Sequence, residues 1–218
     1  MSTFPNSPRL VKGGIVLLDP GSGAVSRVIT LQYNPDTLTR TLQPQSVGDT
    51  GRRSEALRLK GPPIETIKVD AEFDATDQLE SPDQNQAAVQ TGVAPQLAAL
   101  EAIITPNSAL LQSANTLLQA GTLEIAPIEA PLSLFVWSKN RVSPVRITDF
   151  SITEEAFDAS LNPIRAKVSL SLRVLSVNDL PFAHKGASIY LAYQQQKERL
   201  ADQAPAGALN ALGITGIP

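Results

Sequence analysis

The chain contains no cysteine, a single histidine, one tryptophan and three tyrosines in 218 residues. Without cysteine there is no disulfide framework, no thiolate nucleophile and no cysteine-based zinc site. A hydrolytic Ser–His–acid triad would have to use His184, and no serine sits in a Gly-x-Ser-x-Gly elbow. His184 precedes a helical pattern and reads as a surface or capping residue. So few aromatics do not furnish a sugar-binding cleft. No run approaches about 18 consecutive apolar residues, so no bilayer-spanning helix is expected. The opening MSTFPNSPRLVKGG has no apolar segment behind a charged start, so we expect no signal peptide and assembly in the cytoplasm. The formal net charge of −3 gives no bulk attraction to nucleic acid or to a membrane surface.

What the chain does have is strand pattern. In Ser151–Ser176, Ile164, Ala166, Val168, Leu170, Leu172 and Val174 alternate with Arg165, Lys167, Ser169, Ser171 and Arg173. Successive strand side chains face opposite sides of a sheet, so this is a strand with one apolar and one basic, hydroxylated face. At about 3.3 Å per residue, a dozen residues span about 40 Å, roughly twice the usual strand. Ile67, Val69, Ala71 and Phe73 alternate with Lys68, Asp70 and Glu72, giving a second two-faced strand whose polar side is mostly acidic.

Other segments complete the pattern. Residues 1–8 read as a flexible arm. Arg9–Asp19 and Val25–Tyr33 read as strands joined at the turn Asp19-Pro20-Gly21-Ser22-Gly23. Leu38–Leu42 continues the sheet, and residues 43–63 form a long polar insertion carrying Arg52, Arg53, Arg58 and Lys60. Asp74–Thr91 reads as a loop. Residues 95–120 carry a helical insert, with Asn107 capping its second helix. Leu132–Trp137 and Val142–Thr153 are strands, and Lys185–Gln203 is a helix with a low-complexity tail. The domain therefore spans 9–182, followed by a C-terminal helix and tail at 183–218. The order is that of a mainly β, β-rich α+β chain: an antiparallel barrel or sandwich with a side helix.

Sites of chemistry are sparse. Asp70, Glu72, Asp74 and Asp77 superficially suggest a calcium loop, but counting from Asp70, the places that need Gly and Glu hold Ala75 and Ser81. Asp70 and Glu72 as a glycosidase pair would lack an aromatic cleft. Gly13-Gly14 and Gly21-x-Gly23 have no Gly-Lys-Ser/Thr after them, so they are not a phosphate loop. Arg52, Arg53, Arg58 and Lys60 have no interleaved aromatics for base stacking and read as a protein-contacting loop. The opposite charges of the two polar strand faces, Arg165, Lys167 and Arg173 against Asp70, Glu72 and Asp74, fit a contact between subunits that sets register. No cofactor is expected.

Several stretches resemble the tube-domain proteins of contractile injection systems, which are phage tail-like particles. They are LVKGGIVLLD, LQYNPDTLTRTL, VDAEFDATD, APQLAALEAII, LFVWSKNRVSPVRITDFSITEEAFDASLNPIRAKVSLSLRVL and YLAYQQQKERLA, covering most of residues 9–202. The most specific parts are Tyr33-Asn34-Pro35 and the run from Phe157 through Leu161, Asn162 and Pro163 to Ala166; Phe73 and Asp74 end another. The resemblance implies a tail-tube β-barrel with a side helix and a hexameric ring around a lumen, whose partners are inner-tube, spike and baseplate proteins. Some similar proteins carry a LysM-like module after the tube domain; the roughly three dozen residues after Pro181 are too few for it. We therefore expect a baseplate-proximal adaptor between tube and spike, with a bulk tube subunit as one alternative and, from another class, a tail-associated polysaccharide or peptidoglycan hydrolase or a calcium-binding module as the other. Phe157 and Leu161 are expected as anchors, within the fold or between subunits. Asn34 and Asn162, each before proline, are expected to shape turns.

Overall fold

The computed structural model describes residues 10–46, 57–119, 121 and 130–217. Seven strands form one antiparallel sheet: β1 (Gly14–Leu18), β2 (Val25–Thr30), β3 (Leu38–Gln43), β4 (Ile64–Asp74), β5 (Leu132–Ser138), β6 (Arg141–Phe157) and β7 (Pro163–Val174). Their spatial order is β2-β1-β5-β6-β7-β4-β3. The helices are α1 (Thr76–Leu79), α2 (Gln86–Thr91), α3 (Ala94–Ile104), α4 (Ser108–Gln119) and α5 (Lys185–Asp202). The chain is thus a β-rich α+β protein. Its sheet is single, not the pair of layers of a sandwich.

Alternation fixes which side is buried. On β4 the odd-numbered residues Ile67 to Phe73 are inside, and on β7 the even-numbered Ala166 to Val174. Leu97, Leu100 and Ile103 of α3 and Tyr190 and Tyr193 of α5 complete this core. The other face, from Thr66 to Asp74 and Arg165 to Arg173, faces outward and is polar.

The sheet curls until its ends nearly meet. In a flat sheet β2 and β4 would lie about 24 Å apart, five strand spacings. Yet Gln32, just past β2, donates from Nε2 to the Asp74 carbonyl at 2.6 Å and accepts the Asp74 N–H at 2.9 Å. Its amide does what a neighbouring strand's backbone would do. Asn34 repeats the device toward β1: its Oδ1 accepts the Gly13 N–H at 2.9 Å and its Nδ2 donates to the Val11 carbonyl at 2.8 Å. Asn34 therefore holds a seam as well as preceding Pro35.

Some boundaries differ from the sequence reading. Leu10 and Val11 are exposed, and β1 starts only at Gly14. The Asp74–Thr91 segment contains α1, α2 and a short 3-10 turn, where a loop was expected. These helices are one turn or little more and bury only Ala88, so they leave no apolar period to read. The two helices of the insert, the Asn107 cap (Ala109 N–H to Oδ1, 2.8 Å) and α5 follow the sequence pattern. His184 caps α5, its Nδ1 accepting the Gly186 N–H at 3.0 Å.

A buried ionic cluster docks α5 on the sheet. Glu65, 3% exposed, accepts from Arg40 at 2.7 Å and from the Tyr193 hydroxyl at 2.9 Å, and Lys197 lies 3.4 Å away. The Lys197 ammonium also sits 4.4 Å above the Tyr193 ring centre. Burial works against the Arg40 charge, but the hydrogen bond and charge of Glu65 outweigh it and raise the guanidinium above its ordinary value. Burial, then the Glu65 charge and hydrogen bond, push the Tyr193 phenol up to about 12.

Two outcomes follow for stability. Gln32→Ala strands the Asp74 N–H and carbonyl and should lower unfolding free energy by about 1–3 kcal/mol in urea titrations. Tyr193 in an unfolded chain ionises near 10. Between about pH 10 and 12 the unfolded state releases a proton that the folded state keeps, so stability falls as pH rises through that window. Tyr193→Phe should flatten this fall in urea unfolding measured over a pH series. An unchanged alkaline slope would remove Tyr193 from the account.

Candidate assembly surface

The polar face is built by the register of β4, β7 and β6. It sets Asp74, Arg165 and Glu155 in one cross-strand row, Glu72, Lys167 and Thr153 in the next, and Asp70, Ser169 and Ser151 in a third. Arg165 binds Asp74 at 2.8 Å and lies 3.9 Å from Glu72. Lys167 reaches Glu155 at 3.1 Å, and the Ser169 hydroxyl donates to Asp70 at 2.6 Å. Arg173 pairs with Asp179 in the loop after β7 at 2.6 Å. The acidic and basic faces expected to meet across subunits are therefore adjacent strands of one face. Their complementarity acts within the chain first.

The site's electrostatics follow from these pairs. Burial opposes the Asp74 charge, but hydrogen bonds from the Thr76 hydroxyl and N–H, and then Arg165, outweigh it and hold the carboxyl below its usual range. Asp74 in turn raises the Arg165 guanidinium. Asp70, Glu72 and Asp74 thus already engage hydroxyl or guanidinium groups. Among the described residues no three carboxylate or imidazole groups converge on a cation site.

The β6–β7 pair reaches beyond its neighbours. β5 pairs with β6 only as far as Val145. From Arg146 to Phe157, the paired residues of β6 have β7 as their partner strand, and no other strand pairs there among the described residues. The turn at the far end is tightly tied. Asp158 accepts the Ser160 and Asn162 N–H groups at 2.7 and 2.8 Å, and its second oxygen accepts from Asn162 Nδ2 at 2.8 Å. These Asn162 bonds hold the Asp158 carboxyl below its usual range. Asn162 shapes this turn through its side chain as well as its place before Pro163.

The segments that flank α1 and α3 brace the chain just past that turn. Val93 N–H donates to the Pro163 carbonyl at 2.8 Å and Ala75 N–H to the Ile164 carbonyl at 2.9 Å. Gly92, with φ of +57°, allows this approach; a Cβ there would overlap the Pro163 carbonyl. On the braced turn Phe157 is 49% exposed and Leu161 79% exposed, so neither is an anchor within its own chain. Ala156 and Leu161 hold left-handed φ values of 51° and 63°. Such backbone costs a non-glycine residue about 1–3 kcal/mol.

The remaining sequence-derived residues are scattered. Tyr33 is exposed beside Asn34, while Phe73 and Pro163 are buried. Arg58 and Lys60 are exposed where the 43–63 insertion returns to the sheet, Lys60 N–H bonding the Gln45 carbonyl at 2.7 Å. Arg52 and Arg53, like residues 1–8, lie outside the described residues. Sequence reasoning missed Gln32, Glu65 and Gly92. Glu65 was findable: carried back two residues from Ile67, the alternation puts a carboxylate on the apolar face, and such a group needs partners.

No protein-family model matches the chain, and no curated protein does. Among solved structures, a chain from the tail of an empty GTA particle with C6 symmetry is similar at 13% identity, over 75% of this chain and 90% of that one, with a TM-score of 0.31. At that score the likeness carries no argument about this chain.

Proposed function

We propose that this protein is a structural, non-catalytic subunit of a phage tail-like injection particle, forming a hexameric ring at the base of the inner tube that joins tube to spike and baseplate. One observation carries the reading: β6 runs twelve residues, 146–157, with a neighbour strand on one side only among the described residues. About half of those residues direct both backbone groups away from β7, leaving about a dozen donors and acceptors for another strand. An exposed edge of that length is a template for strand addition, and ring closure is one way to remove it. The residues quoted above for their resemblance to tube-domain proteins support the same reading.

In this reading a neighbouring subunit adds a strand along β6, while Asp70, Glu72, Arg165 and Lys167 tie the chain's own outward face together. The basic insertion with Arg52, Arg53, Arg58 and Lys60 contacts the next subunit or ring. The partners are a second copy of the chain, the inner-tube protein, the spike and baseplate proteins; nucleic acid and membrane insertion have no part. No described helix is long and apolar enough to cross a membrane. Assembly takes place in the cytoplasm, and release of the particle would carry the protein outside.

Sedimentation velocity over a concentration series, followed by electron microscopy, tests this. Six-fold rings support the adaptor reading, stacked tubes from the chain alone would make it a bulk tube subunit, and rings of another order would remove the hexamer. Proline scanning of Ile152 and Thr153 separates folding from assembly. One of two adjacent strand residues points its N–H at β7 and the other at the open edge. Proline at the latter should leave the monomer folded and abolish ring formation; rings that survive both substitutions would overturn strand addition at β6.

A further inference from the structure

The structure has an apolar groove at the opposite end of the β6–β7 hairpin from its exposed turn. Its volume is about 410 Å³, and Ile104, Leu132, Ile147, Leu175 and Leu180 line it. Arg146 and His184 are the titratable groups on its wall, and no carboxylate lines it among the described residues. Arg146 is exposed and has no acidic partner among the described residues. The turn has the converse character. Phe157 and Leu161 project from it, with Glu154 and Asp158 beside them and neither of these in an ion pair among the described residues. Ile147 and Phe157 are ten residues apart on one strand, so turn and groove are about 30 Å apart and cannot meet within one molecule.

We propose that the groove is the socket for the hairpin turn of a second copy of this chain. Phe157 and Leu161 would fill the apolar floor, and Glu154 or Asp158 would meet Arg146 at the rim. The argument rests on charge complementarity and on the apolar match of knob and groove, both carried by the same chain. Bracing by Val93, Ala75 and the Asp158 hydrogen bonds holds the knob in shape before it docks, so little order is lost on binding. A contact between two different patches of identical chains is head-to-tail: it closes into a ring if the rotation allows and otherwise grows into a filament. The socket itself is independent of the tube reading; only its closure into six rests on it.

The absence of cysteine makes the test direct. Leu161→Cys and Ile104→Cys are both at exposed positions, 79% and 50%, so each variant should fold. The two proteins are mixed under mild oxidation at concentrations where the wild-type chain associates. Disulfide-linked dimers in the mixture, well above those in either variant alone, are the expected result. Arg146→Glu should cut the linked yield about tenfold, and adding Glu154→Arg to the partner chain should restore it. The double-cysteine chain then reports closure. A ladder that stops at six supports the ring as well, whereas a ladder without limit keeps the socket and overturns the ring. Association without turn-to-groove links overturns the socket and leaves the ring reading standing. A strict monomer at every concentration overturns docking to a second copy.

Discussion

Everything in this molecule depends on the register of β4, β7 and β6. β4 and β7 each have one face in the core and one in water, so a slip of one residue would carry Phe73, Val168 and Leu172 into solvent and bury Glu72, Lys167 and Arg173. Apolar burial alone sets that register modulo two residues. The tied turn at Asp158–Asn162 resolves the remainder for the β6–β7 hairpin, and the Ala75 N–H bond to the Ile164 carbonyl resolves it for β4 against β7. Exposed pairs of this kind add little stability, and after a two-residue slip Asp74 or Glu72 would still face Lys167 or Arg165, so they do not choose between those alignments.

The same register produces the candidate assembly surface. Since β5 stops pairing at Val145 while β7 continues to Pro163, the outer half of β6 touches the core only through the partly buried Ile147, Phe150 and Ile152 and has one edge without a strand among the described residues. Charged residues along it, Asp149, Glu154 and Glu155, are the kind that discourage unspecific pairing at an edge. The strained backbone at Ala156 and Leu161 is borne at the turn where apolar side chains stand in solvent.

Much of this could be read from the residues. All seven strands and the helices α3, α4 and α5 follow from period, turn chemistry and caps such as Asn107 and His184. Exposure along the chain's start did not follow, because Leu10 and Val11 look like strand residues and nothing local shows that the sheet begins only at Gly14. Nor did the pairing of β4 with β7, which are some ninety residues apart in sequence: alternation tells each strand's two faces but not its neighbour. Period alone therefore leaves open whether Asp70 and Glu72 face Arg165 and Lys167 within one chain or across a subunit boundary. Gln32 was invisible for a related reason, since a glutamine that replaces a backbone pair has no pattern until the sheet's curvature is known.

That glutamine bears on the shape of the sheet. In a fully hydrogen-bonded barrel, strand number and shear fix the diameter. Here the circuit from β2 to β4 is completed by one primary amide instead of a ladder. The circumference is therefore set by the reach of a side chain, and it can change through a rotamer shift at a single residue without any strand pair being broken.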